Sequence, residues 1–194
     1  IVLVTFPAAS AILTGKGEYD LSSTQYGLLF LPQVTGAIVA ALVGGRLRSR
    51  VGAKRLYQAG LIAALIAMLV LFASQFAQSD QAVAYGMLLG ATAFVGVGFG
   101  LTVPTLNTLT AAFHPKAVDR STLILNALLG VGTALAPVFV AAFVGLGFWW
   151  GLPLLAGVAL VALLAISAPL PLKASVGVSG RSAGRSLPGR FWLL

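Results

Sequence analysis

Residues 82–113 read AVAYGMLLGATAFVGVGFGLTVPTLNTLTAAF, a stretch of the chain without a single charged side chain. About 20 consecutive apolar residues suffice to cross the hydrocarbon core of a bilayer as an α-helix. Within that core every backbone N–H and C=O group must be satisfied inside the segment itself, which favours a helix over an isolated strand. The stretch is therefore predicted to be a transmembrane helix.

The rest of the chain repeats this pattern. Hydrophobic residues make up 59% of the 194 residues and charged residues 8%, whereas soluble domains carry about 25% charged residues. Apolar length and polar breaks predict one partial and five full spans, at residues 1–14, 25–45, 56–77, 82–113, 121–145 and 148–170. No stretch alternates with period two, which counts against a membrane β-barrel. The predicted fold class is an all-α, polytopic transmembrane helix bundle.

These spans divide the chain into three predicted parts. Residues 1–172 form an amino-terminal transmembrane bundle, in which the first helix is expected to be truncated because it is short for a span. Residues 173–190 are rich in Gly, Ser and Arg, which predicts a flexible cytoplasmic linker. Residues 191–194 resemble the first turn of a seventh span. We therefore expect the chain to be part of a longer membrane protein.

The positions of the cations predict the orientation of the spans. If each span crosses the membrane once, Lys16 lies on one side and every other Lys and Arg lies on the opposite side. The positive-inside rule then places the basic loops in the cytoplasm. The net charge of +8 is thereby explained without a nucleic-acid partner. The expected location is a bacterial inner membrane, in contact with the lipid bilayer.

Aromatic residues flank the loops on the other side, which is typical of an interfacial belt. Tyr19 and Tyr26 flank the first of these loops, and Trp149 with Trp150 flanks the third. The expected role of the two tryptophans is to anchor the chain at the membrane surface.

Polar side chains are concentrated in particular spans. The central parts of the third and sixth spans lack them, so these spans are expected to face lipid while the other four face inward. The expected solute path is lined by Thr5, Ser10, Gln33, Thr102, Thr105, Asn107 and Asn126. Asn107 and Asn126 fall at similar depth on antiparallel neighbours, so either an amide pair or direct solute contact is expected of them.

Two spans share a proline-centred pattern, Thr5-Phe6-Pro7-Ala8-Ala9-Ser10 and Thr102-Val103-Pro104-Thr105-Leu106-Asn107. Proline removes a backbone hydrogen bond, and paired interruptions at corresponding positions are typical of binding sites in transporters with internal repeats. The pattern predicts a three-plus-three inverted repeat with kinks at Pro7 and Pro104, the alternative being two coincidental kinks.

Glycines accompany the second of these prolines in the fourth span. Gly96 and Gly100, like Gly86 and Gly90, form a small-xxx-small pair that allows close helix packing. Their density also makes Gly96 and Gly100 candidates for bending and gating.

The segment between the second and third spans carries the most specific motif. Gly45-Arg46-Leu47-Arg48-Ser49-Arg50-Val51-Gly52-Ala53-Lys54-Arg55 resembles the cytoplasmic loop motif of the major facilitator superfamily. The positions that carry the resemblance are Gly45, Arg46, Arg50, Gly52, Lys54 and Arg55. Ser49 stands where that family usually has an aspartate, so the charge contact of that aspartate is missing.

The fourth and fifth spans add a narrower resemblance. Asn107-Thr108, and Leu125-Asn126 followed by a glycine-rich run, resemble fucose and hexose permeases. The segregation of polar side chains and the paired prolines predict a secondary active or facilitative transporter that moves a small polar solute, a sugar being one candidate, by alternating access. The implied partner is a carboxy-terminal transporter half.

The chain shows no enzymatic constellation. His114 is the only histidine, there is no cysteine, and the four acids lie outside the central parts of the spans. No cofactor and no metal is expected. The alternative to a carrier is a non-transporting, transporter-like subunit of a larger membrane complex with other membrane partners.

Overall fold

The computed structural model describes residue 2 and residues 5–170. The first span consists of two short helices, α1 (Thr5–Ala8) and α2 (Ser10–Leu13), and the second of α3 (Ser23–Leu28) and α4 (Phe30–Val51). The third is α5 (Ala53–Ser74) with a 3-10 turn at Gln75–Ala77, the fourth α6 (Gln81–Phe113), the fifth α7 (Val118–Gly145) and the sixth α8 (Gly151–Ser167).

The prediction of an all-α transmembrane bundle is confirmed for this part of the chain. Four stretches are long and apolar enough to cross a membrane, namely Ser23–Val51, Ala53–Ala77, Gln81–Phe113 and Val118–Gly145. Gly151–Ser167 is a shorter apolar helix. The predicted linker at 173–190 and the predicted seventh span at 191–194 lie outside the described residues.

Polar caps fix where the second and fourth spans begin. Ser22 Oγ accepts a hydrogen bond from Gln25 N at 3.2 Å, and Gln25 Oε1 accepts one from Ser22 N at 2.9 Å, which completes a capping box. Asp80 Oδ1 accepts from Ala82 N and Val83 N at the start of the fourth span. Both caps satisfy N–H groups that have no partner within their own helix.

The motif between the second and third spans is helical almost throughout, which corrects the expectation that it is a loop. Helix α4 runs to Val51 instead of ending at residue 45, and α5 begins at Ala53 instead of residue 56. Cations near a helix C-terminus interact favourably with its dipole, and long basic side chains reach the membrane surface from inside a helix. A single residue, Gly52, therefore joins the two spans.

Gly52 adopts φ 87° and ψ 151°, a backbone conformation that is essentially restricted to glycine. Gly52→Ala is expected to destabilise the protein by about 1–3 kcal/mol, because the new Cβ strains this one-residue connection. Thermal unfolding in detergent, followed by tryptophan fluorescence, measures the loss.

Gly45→Ala is the matched control, since Gly45 is helical and a Cβ there meets no atom within 4 Å. Alanine is the better helix former, so this variant should unfold at the same temperature or slightly higher. Equal destabilisation by both variants would contradict the role assigned to Gly52.

The pairing of the spans agrees only in part with an inverted repeat. The fourth span packs extensively on the second and third, the third on the sixth, and the start of the first on the fifth. In a three-plus-three repeat the first, second and third spans correspond to the fourth, fifth and sixth. The pair formed by the second and fourth spans then corresponds to the pair formed by the fifth and first. The pair of third and sixth corresponds to itself. The extensive pair of third and fourth would correspond to the sixth and first, which do not pack closely within the described residues, so the inverted repeat stays a prediction.

The spans differ in how much of their surface the bundle covers. The second span buries few residues, Gln33, Ala40 and Gly44 among them, and the fifth buries Ala136 and Val140. The third span buries many more, although it was expected to face lipid. It does so because one side packs on the fourth span and another on the sixth, which leaves a narrower outward face that includes Ile62 and Leu69.

Candidate functional site

The fourth span approaches the second so closely that backbone touches backbone. A Cβ added to Gly96 would collide with the backbone carbonyl of Gln33, and one added to Gly100 with the carbonyl of Ala37. From the opposite side, a Cβ on Gly36 would come within 2.9 Å of Ala93 O. These glycines therefore set the distance between the two helices.

The glycine between that pair faces a different neighbour. A Cβ on Gly98 would lie 3.0 Å from both Ala64 N and Gly60 O of the third span. Gly60 in turn packs against the side chain of Thr102. The run Gly96-Val97-Gly98-Phe99-Gly100 thus packs against two spans at once, which supports a packing role for these glycines.

Gly96→Ala is expected to destabilise the bundle by about 1–3 kcal/mol, because overpacking a tight contact forces the backbones apart. Gly90→Ala is the matched control on the same helix, since a Cβ at Gly90 meets no atom within 4 Å. Thermal unfolding of the two purified variants measures the difference. A Gly96→Ala protein as stable as Gly90→Ala would refute the tight contact.

Each predicted path residue of the first two spans lies near a contact with another span. Thr5 is fully buried on α1, which packs against the fifth span. Ser10 is half-buried and within hydrogen-bonding reach of the Tyr26 hydroxyl of the second span. Gln33 is buried, with its backbone carbonyl against Gly96.

The path residues of the fourth span are dispersed around the helix. Thr102 is directed toward Gly60, and the buried Thr105 donates from Oγ1 to Leu101 O at 2.7 Å. Asn107 is half-buried, with its Oδ1 atom buried and lacking a hydrogen-bond partner.

The expected amide pair between Asn107 and Asn126 is not formed. Asn126 is exposed and donates from Nδ2 to Thr122 O of its own helix at 3.0 Å. The fifth span packs only lightly on the fourth, so the two amides are not brought together.

The described clefts are lined mostly by apolar side chains. The cleft between the third, fourth, fifth and sixth spans has a volume of about 230 Å³, and Thr102 and Thr133 are its polar lining residues. The seven predicted path residues are therefore not gathered around one polar chamber.

The two prolines occupy different surroundings. Pro7 is exposed in the short helix α1, which ends at Ala8, and Ala9 separates it from α2. Pro104 lies inside α6, which continues without a break to Phe113. Proline lacks the N–H that would bond the carbonyl four residues earlier, here that of Gly100. The hydroxyl of Thr108 bonds a different carbonyl, that of Pro104, at 2.9 Å.

Arg48 joins the basic ends of the second and fourth spans, a role that the sequence analysis did not foresee. Its Nη1 atom donates to Thr108 Oγ1 at 2.5 Å, and its Nη2 atom donates to Pro104 O at 3.5 Å. Arg48 was read with the other cations as a determinant of topology. The one indication of this contact in the sequence was that Pro104 and Thr108, four residues apart, lie on the same helix face.

A double-mutant cycle tests this contact. Thr108→Val should destabilise the protein by about 1–3 kcal/mol, because it removes the acceptor of a partly buried guanidinium. In an Arg48→Met background the same change should cost far less, since no guanidinium remains to lose its partner. Thermal unfolding of all four proteins gives the coupling, and strictly additive effects would contradict it.

The remaining motif residues lie around the same end. Lys54 Nζ donates to Ala168 O at 2.7 Å and so caps the C-terminus of the sixth span. The exposed residues of the motif are Gly45, Arg46, Leu47, Ser49, Arg50, Gly52 and Arg55. Ser49, at the position of the absent aspartate, donates from Oγ to Arg46 O of its own helix at 3.4 Å.

The opposite end is held together by uncharged groups. The hydroxyls of Tyr19 and Ser74 are hydrogen-bonded at 2.7 Å, and the Tyr19 ring packs edge-on against Trp149 with ring centroids 5.8 Å apart. Gln81 Nε2 donates to Asp20 O at 2.7 Å. Burial raises the pKa of the Tyr19 hydroxyl, while the bond to Ser74 acts in the opposite direction, so the group stays neutral at physiological pH.

This cluster corrects the expectation of an interfacial belt. Tyr19 and Trp149 are buried against each other and against the span ends, whereas Trp150 remains partly exposed. A T-shaped aromatic pair contributes about 0.5–1.5 kcal/mol beyond the surface area that it buries.

Comparison with known proteins identifies the family. The family model of the Major Facilitator Superfamily matches residues 2–192. The chain therefore belongs to this superfamily, whose members are membrane transporters and not enzymes. No curated protein and no solved structure matches it.

Proposed function

We propose that this member of the Major Facilitator Superfamily is a secondary active or facilitative carrier for a small, uncharged, polar solute. In this proposal the first and fourth spans line the path, and the second and fifth spans gate it. The carrier works by alternating access together with a carboxy-terminal half. Its basic end lies in the cytoplasm of a bacterial cell, following the positive-inside rule.

The proposal rests on where polar side chains remain exposed. Thr35 on the second span and Asn126 and Thr133 on the fifth are exposed at membrane depth. The exposed residues in the middle of the third and sixth spans are apolar, as Ile62 and Val158 illustrate. Polar groups in hydrocarbon are costly, so the face of the second and fifth spans is suited to protein or water rather than lipid.

The chemistry of the exposed and half-buried groups favours an uncharged solute. Hydroxyl and amide groups predominate, and all four acids of the chain lie outside the central parts of the spans. The buried Oδ1 atom of Asn107 has no hydrogen-bond partner and is suited to accept a bond from a solute hydroxyl. Asn107 follows Gly96 by about three helical turns and so shares its face of the fourth span.

Uptake by the full-length protein in liposomes tests the proposal. A panel of radiolabelled sugars, polyols and neutral amino acids should include at least one solute with saturable uptake above that of empty liposomes. Absence of saturable uptake across the whole panel would refute a carrier of small uncharged solutes.

Asn107→Leu should lower uptake of that solute by about tenfold, because one hydrogen bond to the solute is lost. Thr92→Val is the matched control, since Thr92 is buried on the same helix and donates to its own Leu89 O at 2.9 Å. Equal uptake by Asn107→Leu and Thr92→Val would show that Asn107 does not contact the solute.

A further inference from the structure

We propose that the cleft between the basic ends of the third, fourth and sixth spans binds an anionic phospholipid. Its acyl chain occupies the cleft, and its phosphate lies at Lys54. This site is separate from the proposed solute path and does not depend on it.

The cleft is shaped for a hydrocarbon chain. It has a volume of about 220 Å³, and its lining includes Tyr57, Leu106, Leu109, Phe113, Leu163 and Leu170. Leu106 also lines the 230 Å³ cleft deeper in the bundle, so the apolar surface continues toward the middle of the spans. An acyl chain matches this apolar lining, whereas a free phosphate ion has no hydrocarbon to place there.

Lys54 lies at the mouth of this cleft. Its Nζ atom donates to the carbonyl of Ala168, the residue that follows the lining residue Ser167. Tyr57, one helical turn after Lys54, lines the same cleft. An ammonium group has three N–H donors, of which the Ala168 carbonyl takes one.

The surrounding charge favours an anion over a zwitterion. Arg55 follows Lys54, and Lys116 lies three residues beyond the lining residue Phe113. Three of the four acids lie at the other end of the bundle, which leaves Asp119 at this end. Basic pockets between transmembrane helices are a known setting for anionic headgroups, and a Lys or Arg close to the bound headgroup strengthens binding by about fivefold.

Native mass spectrometry of the full chain tests the site. The protein is titrated with phosphatidylglycerol and, separately, with phosphatidylcholine of identical acyl chains. The first phosphatidylglycerol should bind more tightly than the first phosphatidylcholine, and Lys54→Gln should weaken that first binding event by about fivefold. Absence of a preference for phosphatidylglycerol would overturn the proposal.

Arg50→Gln is the matched charge control, since Arg50 is exposed at the same end on the second span, which does not line the cleft. It should leave binding of the first phosphatidylglycerol unchanged. An equal loss of binding in Arg50→Gln and Lys54→Gln would overturn the site, because the lipid would then respond to charge spread over the whole basic end. Lys54→Arg should retain binding, which separates loss of the cation from a loss of folding.

A change in the cleft tests the acyl chain independently of the cation. Leu163→Trp should fill the cleft and weaken the first phosphatidylglycerol even though Lys54 is intact. Leu154→Trp, on the same helix but outside this cleft, should not. Unchanged binding in Leu163→Trp would overturn the placement of the acyl chain.

Discussion

The contact on which this bundle depends is that of Gly96 and Gly100 with the backbone carbonyls of the second span. Inside a bilayer, burial of apolar surface drives little association, because lipid tails are as apolar as the helices, so close van der Waals packing must do it. Glycine costs about 1 kcal/mol relative to alanine inside a helix. The contacts with Gln33 and Ala37 offset that cost, and Gly98 extends the same packing to the third span.

The fourth span packs between the second and third spans. Different interactions hold the two ends of the bundle together. At the basic end, cations bond to hydroxyl and carbonyl oxygens, as Arg48 does with Thr108 and Lys54 with Ala168. A cation at the last carbonyls of a helix also interacts favourably with the helix dipole. At the other end, Tyr19, Ser74 and Trp149 form an uncharged cluster. The contacts at the basic end are therefore the ones expected to be sensitive to salt.

Apolar length was enough to predict the four long spans, because the bilayer imposes a minimum length on each helix. The sixth predicted span is a shorter apolar helix, Gly151–Ser167. The start of the fourth span was predicted to within one residue, since Asp80 provides a local cap. The helical course of the Arg46–Arg50 segment was missed, because hydropathy does not register basic side chains that extend from a helix to the membrane surface. Contacts between distant residues, such as Arg48 with Thr108, depend on how helices rotate against each other, which one sequence does not specify. The predicted pair of Asn107 and Asn126 does not form for the same reason, since two residues at equal depth can lie on helix faces that do not face each other.

The glycine contacts also bear on how the proposed carrier would change state. Sliding the second span along the fourth would drive the carbonyls of Gln33 and Ala37 past Gly96 and Gly100 onto positions that bear a Cβ. Tightly packed interfaces have discrete arrangements rather than a continuum, so such sliding is expected to meet a high barrier. The fifth span is different, because it buries little and packs lightly on the fourth. The second to fourth spans are therefore expected to move together, so that the second span gates the proposed path as part of that unit, and the lightly packed fifth span is the one expected to rearrange within this half.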